Sequence, residues 1–165
     1  MKNNLNCSLI KPGRLLIDTN LLLLLFIGLY DKRLITTFKR TSNRFIDEDF
    51  ENLSKFVDNF RKIVTTPHIL TELSNFSGEL SGRKKDDFFL FLSENIVNLE
   101  EIIDPSINII ENEEFIKFGL TDTAIYCLSR NKIPVITVDF KLSGYLQSKN
   151  IEVFNFNHIR SYLFN

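Results

Sequence analysis

The chain reads as an α/β protein, a three-layer α/β/α sandwich around a parallel sheet of roughly five strands. Five short apolar runs recur along it: Leu15–Ile17, Ile63–Thr65, Leu99–Ile103, Val135–Val138 and Ile151–Phe154. Stretches with helical spacing of their apolar residues separate them, and strands alternating with helices argue for a parallel sheet covered on both faces. The first run shows no polar alternation, as expected of a strand buried on both sides. At 165 residues with 44% hydrophobic content, the chain can bury a sizeable core. One domain over residues 1–165 is expected, since no internal repeat, linker or low-complexity segment interrupts it.

Residues 1–13 are polar and contain Pro12-Gly13, which suits a loose lead-in. After the strand Leu15–Ile17, Thr19 or Asn20 could cap a helix that ends near Asp31. Residues 32–46 are basic and polar. Phe50, Leu53, Phe56, Val57 and Phe60 then recur at helical spacing behind Asp47, Glu48 and Asp49, acids that suit a helix N-terminus. A largely helical stretch over about 32–62 therefore separates the first two strands. Thr66 as cap and Pro67 as first helical residue start the next helix, which carries Glu72. Gly78 and Gly82 mark a break before the basic cluster Arg83-Lys84-Lys85 and a long helix through Phe88, Phe91, Leu92 and Ile96.

Asp104-Pro105 closes the third strand. Ile107–Phe118 reads as a helix ending at Gly119, and Thr121 as the cap of a helix bearing Asp122, Ile125, Tyr126 and Leu128. The strand Val135–Val138 ends on Asp139. A short helix follows with Leu142, Tyr145 and Leu146, then the last strand and a final helical turn over His158–Leu163.

The net charge of −1 provides no global basic field, so a nucleic-acid partner would need a local patch. Cys7 and Cys127 show neither ligand spacing nor a disulfide framework, and fit a reducing compartment. The apolar run Leu21–Tyr30 is too short to span a membrane, which takes about 20 residues. No small-residue cleavage site follows it, since the next residues are Asp31-Lys32-Arg33. A buried helix in a cytoplasmic protein with no membrane partner is the expectation.

Four acids stand apart by context: Asp18 and Asp139 end buried strands, Glu72 lies on an early helical turn, and Asp122 opens a helix. Parallel strands would send Asp18 and Asp139 out of the same sheet edge, where open α/β sheets place their ligand crevices. Two carboxylates about 4 Å apart repel by about 4 kcal/mol at an effective dielectric of 20. Hard divalent cations relieve such crowding, and oxygen-only ligands favour Mg²⁺ or Mn²⁺ over zinc.

The segments LLIDTNLLL, TPHILTELSN, GLTDTAIYCLS and PVITVDFKLSGYL, in that order over about residues 14–156, resemble the PIN-domain nucleases. The resemblance implies the five-stranded sandwich and an Mg²⁺- or Mn²⁺-dependent endoribonuclease. It implies metal-binding and catalytic acids at Asp18, Glu72, Asp122 and Asp139, with supporting roles for Asn20 and Thr137. It also suggests a homodimer and, as for many single-domain members, a toxin restrained by a protein antitoxin. Residues 32–62 are longer than compact members need. Two other readings stay open: a non-catalytic PIN-like module binding RNA or protein, and a nuclease for structured DNA.

Plainer readings exist for individual residues. Asp18 alone could be a helix cap, and Asp122 a favourable first-turn charge. Asn20 and Thr137 could simply bond nearby backbone. His68, one helical turn before Glu72, could face substrate or solvent. Lys141 and the clusters Arg33–Arg44 and Arg83–Lys85 could meet phosphates or remain solvated.

Overall fold

The computed structural model describes residues 13–162, with the side chains of 161 and 162 outside that description. The lead-in before Gly13, Cys7 within it, and Leu163 of the final turn lie outside the described residues. The protein is α/β, with a five-stranded, all-parallel sheet. Its strands are β1 Arg14–Ile17, β2 Lys62–Thr65, β3 Glu100–Glu101, β4 Val135–Thr137 and β5 Val153–Asn155, in the spatial order β3-β2-β1-β4-β5.

This order places β1 at the centre, with β2 on one side and β4 on the other. The chain lays strands outward from β1 through β2 to β3, then returns to the other side of β1 for β4 and β5. The β1–β4 boundary is thus the point where winding reverses, and crevices open at strand C-termini there. Leu15, Leu16, Ile17, Val135 and Ile136 are fully buried, which is why these runs carry no alternation. The edge strand β3 is only two glutamates long. A short, charged edge discourages pairing with another sheet, and the expected Leu99–Ile103 strand shrinks to that pair.

Helix α1, Thr19–Tyr30, buries Leu21 to Gly28 and packs on α3 (Asp47–Val57) and α4 (Pro67–Ser77). At Gly28 the backbone passes so close to the Phe50 ring that a Cβ would collide with it. Among the described residues no helix is long and apolar enough to cross a membrane. The 32–62 stretch forms a 3₁₀ turn, Lys32–Leu34, the short α2, Lys39–Ser42, and α3. Phe60 falls beyond α3 and instead meets Phe56 and Phe154.

Helix α5, Arg83–Ile96, takes the basic cluster into its own first turn. The helix expected over Ile107–Phe118 is broken into α6, Ser106–Ile109, and the beginning of α7, Glu114–Ser129. The Asn112 side chain donates to the carbonyls of Asn108 and Ile109 at 3.1 Å each, closing α6 early. Helices α8, Phe140–Ser148, and α9, Phe156–Tyr162, complete the chain.

Candidate functional site

Asp18 follows β1 directly, and its backbone N–H still bonds the sheet, donating to the Ile136 carbonyl at 3.1 Å. Its side chain accepts from the Leu21 N–H at 2.8 Å, so Asp18 rather than Thr19 or Asn20 caps α1. The other carboxylate oxygen accepts from the Val138 N–H at 3.0 Å and from the Thr137 hydroxyl. Among the described residues no Lys or Arg pairs with this acid, which is 5% exposed. Burial pushes its carboxyl above the usual carboxylate range, with Asp139 adding to the push, while its three hydrogen bonds pull the other way.

Thr137 joins two acids. Its hydroxyl donates to Asp18 and accepts from the Asp139 N–H at 2.9 Å. Asp139 in turn caps α8, one oxygen taking the N–H groups of Lys141 and Leu142 at 2.7 and 2.9 Å. Thr137 thus bonds both the Asp18 carboxylate, distant in sequence, and a backbone N–H two residues on.

Glu72 reaches the same place from the second turn of α4. Its two oxygens accept from the hydroxyls of Thr19 at 2.8 Å and Thr121 at 2.7 Å. Thr121 is not the cap expected of it: the non-helical residue is Gly119, two positions earlier, and the Thr121 hydroxyl donates to Glu72 instead. Thr19 and Thr121 are site residues that the sequence reading missed. The available signal was that each sits beside a candidate acid, Asp18 and Asp122.

Gly119 interrupts α7 with a φ of 77° and a ψ of −175°, a conformation that favours glycine. A fresh helical segment begins after it, which puts Asp122 at its third position. A helix N-terminus favours a negative charge there. Asp122 has no hydrogen-bond or ion-pair partner among the described residues. Burial, then the charges of Asp139, Asp18 and Glu72, push its carboxyl up to about 7, with Lys141 opposing. It is the least compensated acid of the set.

Asp18, Glu72, Asp122 and Asp139 line one pocket of about 340 Å³ with Asn20, Thr137, Thr19, Thr121 and the Phe118 ring. All six residues singled out from the sequence meet there. Asn20 does not bond Asp18; its side-chain oxygen accepts from the Arg44 guanidinium at 3.0 Å. His68 is elsewhere: its Nε2 lies 3.0 Å from the Ser106 hydroxyl, in a separate cavity with Thr66, Asp104 and Cys127. No protein-family model and no curated protein sequence matches the chain.

The donor set consists only of oxygens, which suits a hard divalent ion. Among the described residues, however, no three His, Cys, Asp or Glu side chains are arranged as a ready-made metal site. The four acids differ in their hydrogen bonds. Asp18 and Glu72 turn both oxygens toward protein donors, and Asp139 turns one, leaving Asp122 and the other Asp139 oxygen without such ties. The chemistry of the set fits a divalent cation, with Asp122 and Asp139 the readiest to engage one.

Proposed function

We propose that the protein is a PIN-type endoribonuclease that hydrolyses RNA phosphodiester bonds with the help of Mg²⁺ or Mn²⁺. The observation that carries this reading is the convergence of four acids, from four separate segments, into one pocket where none of them has an ion-pair partner among the described residues. A structural role would have been met by pairing these charges or replacing them with apolar residues.

Asp18, Glu72, Asp122 and Asp139 would hold the ion. When bound, it lowers the pKa of an attacking water and stabilises charge developing on the phosphoryl oxygens. The rest is done by the chain. Thr19 and Thr121 fix the Glu72 carboxylate from two helices, and Thr137 fixes Asp18 against β4, so the acids are held before substrate arrives. Asp122, with a carboxyl near 7, is suited to exchange a proton for a cation near neutral pH. Lys141, whose charge is felt at Asp122, offsets part of the negative potential that would repel a phosphate. The PIN resemblance extends the reading to a toxin with a protein antitoxin.

The test is cleavage of end-labelled single-stranded RNA by the purified protein with Mn²⁺, and again after chelation. Metal-dependent cutting that is lost in Asp18→Asn and Asp122→Asn is the expected result. Undiminished cutting by both folded variants would overturn the site. Cutting of branched DNA but not RNA would reassign the substrate, and RNA binding without cutting would make the protein an idle module.

A further inference from the structure

The basic residues of 32–46 do not form one patch. Lys32 pairs with Glu51, and Arg33 with Asp31 at 2.9 Å, both at the C-terminal end of α1. The α5 cluster lies toward that end as well, since Lys84 acts on Asp31. Arg44 is at the opposite end, one hydrogen bond from Asn20. With α1 12 residues long, the two groups are about 18 Å apart along the helix.

At the Asn20 end, Lys39, Arg40, Asn43 and Arg44 line a polar cleft of about 460 Å³ with Phe76 and Glu79. Asn20 lines both this cleft and the acid pocket, so the two are neighbours. Arg40 is occupied by Glu79 and rests on the Phe76 ring, 4.4 Å from its centre. Lys39 has no ion-pair partner among the described residues, and Arg44 spends its guanidinium on the neutral Asn20. The cleft therefore carries a net charge of about +2. Phe118 also lines the acid pocket; its ring packs on Tyr145 at 4.9 Å between centres and has the ammonium groups of Lys117 and Lys141 4.9 and 5.2 Å from its own centre.

We propose that the Lys39–Arg44 cleft is a subsite for the phosphate neighbouring the scissile one, and that the strand it takes is unpaired RNA. The inference rests on the nuclease reading and deepens it. A phosphate is drawn to fixed cations, while the acid pocket alone would repel it. The net charge of −1 includes the four pocket acids, so the remainder of the chain carries +3. Two of these excess charges are concentrated beside the pocket. Cations beside the pocket and the Phe118 ring in its lining offer the two kinds of contact by which unpaired strands are held, to phosphate and to base. Arg44 can exchange Asn20 for a phosphate oxygen at the cost of one exposed hydrogen bond. The insertion over 32–62 thereby gains a role, as the wall that supplies these charges.

The test is binding of a short fluorescent oligouridine, read by anisotropy over a salt series in the presence of chelator, so that no cutting contributes. Lys39→Gln combined with Arg44→Gln should weaken binding about tenfold and flatten the log–log salt slope by about 1.4, for two contacts on a single strand. Removing the same charge at the far end, with Arg83→Gln and Lys84→Gln, should leave both quantities unchanged. Lys39→Gln alone should give about half the slope change, and since Lys39 is exposed and forms no ion pair among the described residues, acting on Glu79 only through its charge, the exchange leaves the fold intact. Equal losses in the two double variants, no loss in the first, no binding by the parent, or equal binding of duplex RNA would each overturn the proposal. These readouts do not depend on catalysis. A slope change without Mn²⁺-dependent cutting would keep the cleft and remove the nuclease reading, while cutting with no slope change would do the reverse.

Discussion

Helix α1 has an aspartate at each end, and the two behave oppositely. Asp31 closes the C-terminal end, caps the 3₁₀ turn behind it, and takes a two-pronged hydrogen bond from Arg33 at 2.9 Å. That guanidinium holds its carboxyl below the usual carboxylate range. Asp18 caps the N-terminal end, has hydrogen bonds but no cation partner among the described residues, and is pushed above that range by burial. An acid with a cation beside it is finished as a piece of structure. An acid whose burial is only partly offset still has an affinity to express.

Exchange of either acid for its amide measures that difference most directly. Asp18→Asn should reduce Mn²⁺-dependent RNA cleavage by about a hundredfold or more, while Asp31→Asn should leave it within about twofold; steady-state rates on labelled RNA decide. The next largest effect concerns Asp122. Its folded carboxyl is raised to about 7 from 3.8, so between these values the native state binds more protons than the unfolded one. Stability contributed by this group is then greatest at low pH and declines as pH rises toward 7. Asp122→Asn should stabilise the chelated protein by about 1–3 kcal/mol at pH 8 and by little at pH 4, as read by urea melts.

Cation binding should do the same by another route. Mn²⁺ at a hundredfold excess over its Kd should raise parent stability by about 2.7 kcal/mol, a gain that Asp122→Asn should blunt. At the Asp31 end the vulnerable feature is packing. Gly28→Ala drives a methyl into the Phe50 ring and should cost about 1–3 kcal/mol without changing kcat per folded molecule. The smallest effect is that of Asp31→Asn on stability. Its partner Arg33 is almost fully solvated, so Tm should move by less than about 3 °C.

The two ends also differ in how well the sequence announced them. Asp18 and Asp139 were recognisable because each follows a strand too apolar to lie at a surface, and a parallel sheet sends both out of one edge. Glu72 followed from the helix start at Thr66-Pro67, and Asp122 from a helix start expected at Thr121, two residues later than the break at Gly119. The hydroxyls were harder. A threonine beside a helix start can cap it or serve a remote partner, and for Thr121 the choice depends on Glu72, 49 positions away in sequence. The split of the basic residues between opposite ends of α1 was likewise invisible, since nothing local in Lys32–Arg44 says which of them will face Asn20. Helix α6 failed for a nearer reason: Asn112 caps carbonyls that an uninterrupted apolar repeat would have left in a helix.

The bend at Gly119 has a consequence for evolvability. Because one residue both stops a helix and starts another with no linker between, the direction of the segment carrying Asp122 hinges on a single torsion that a side chain would resist. A methyl at this position meets open space, so the obstacle is purely torsional. A lineage could therefore swing Asp122 out of the acid pocket by a single codon change while the core stayed whole.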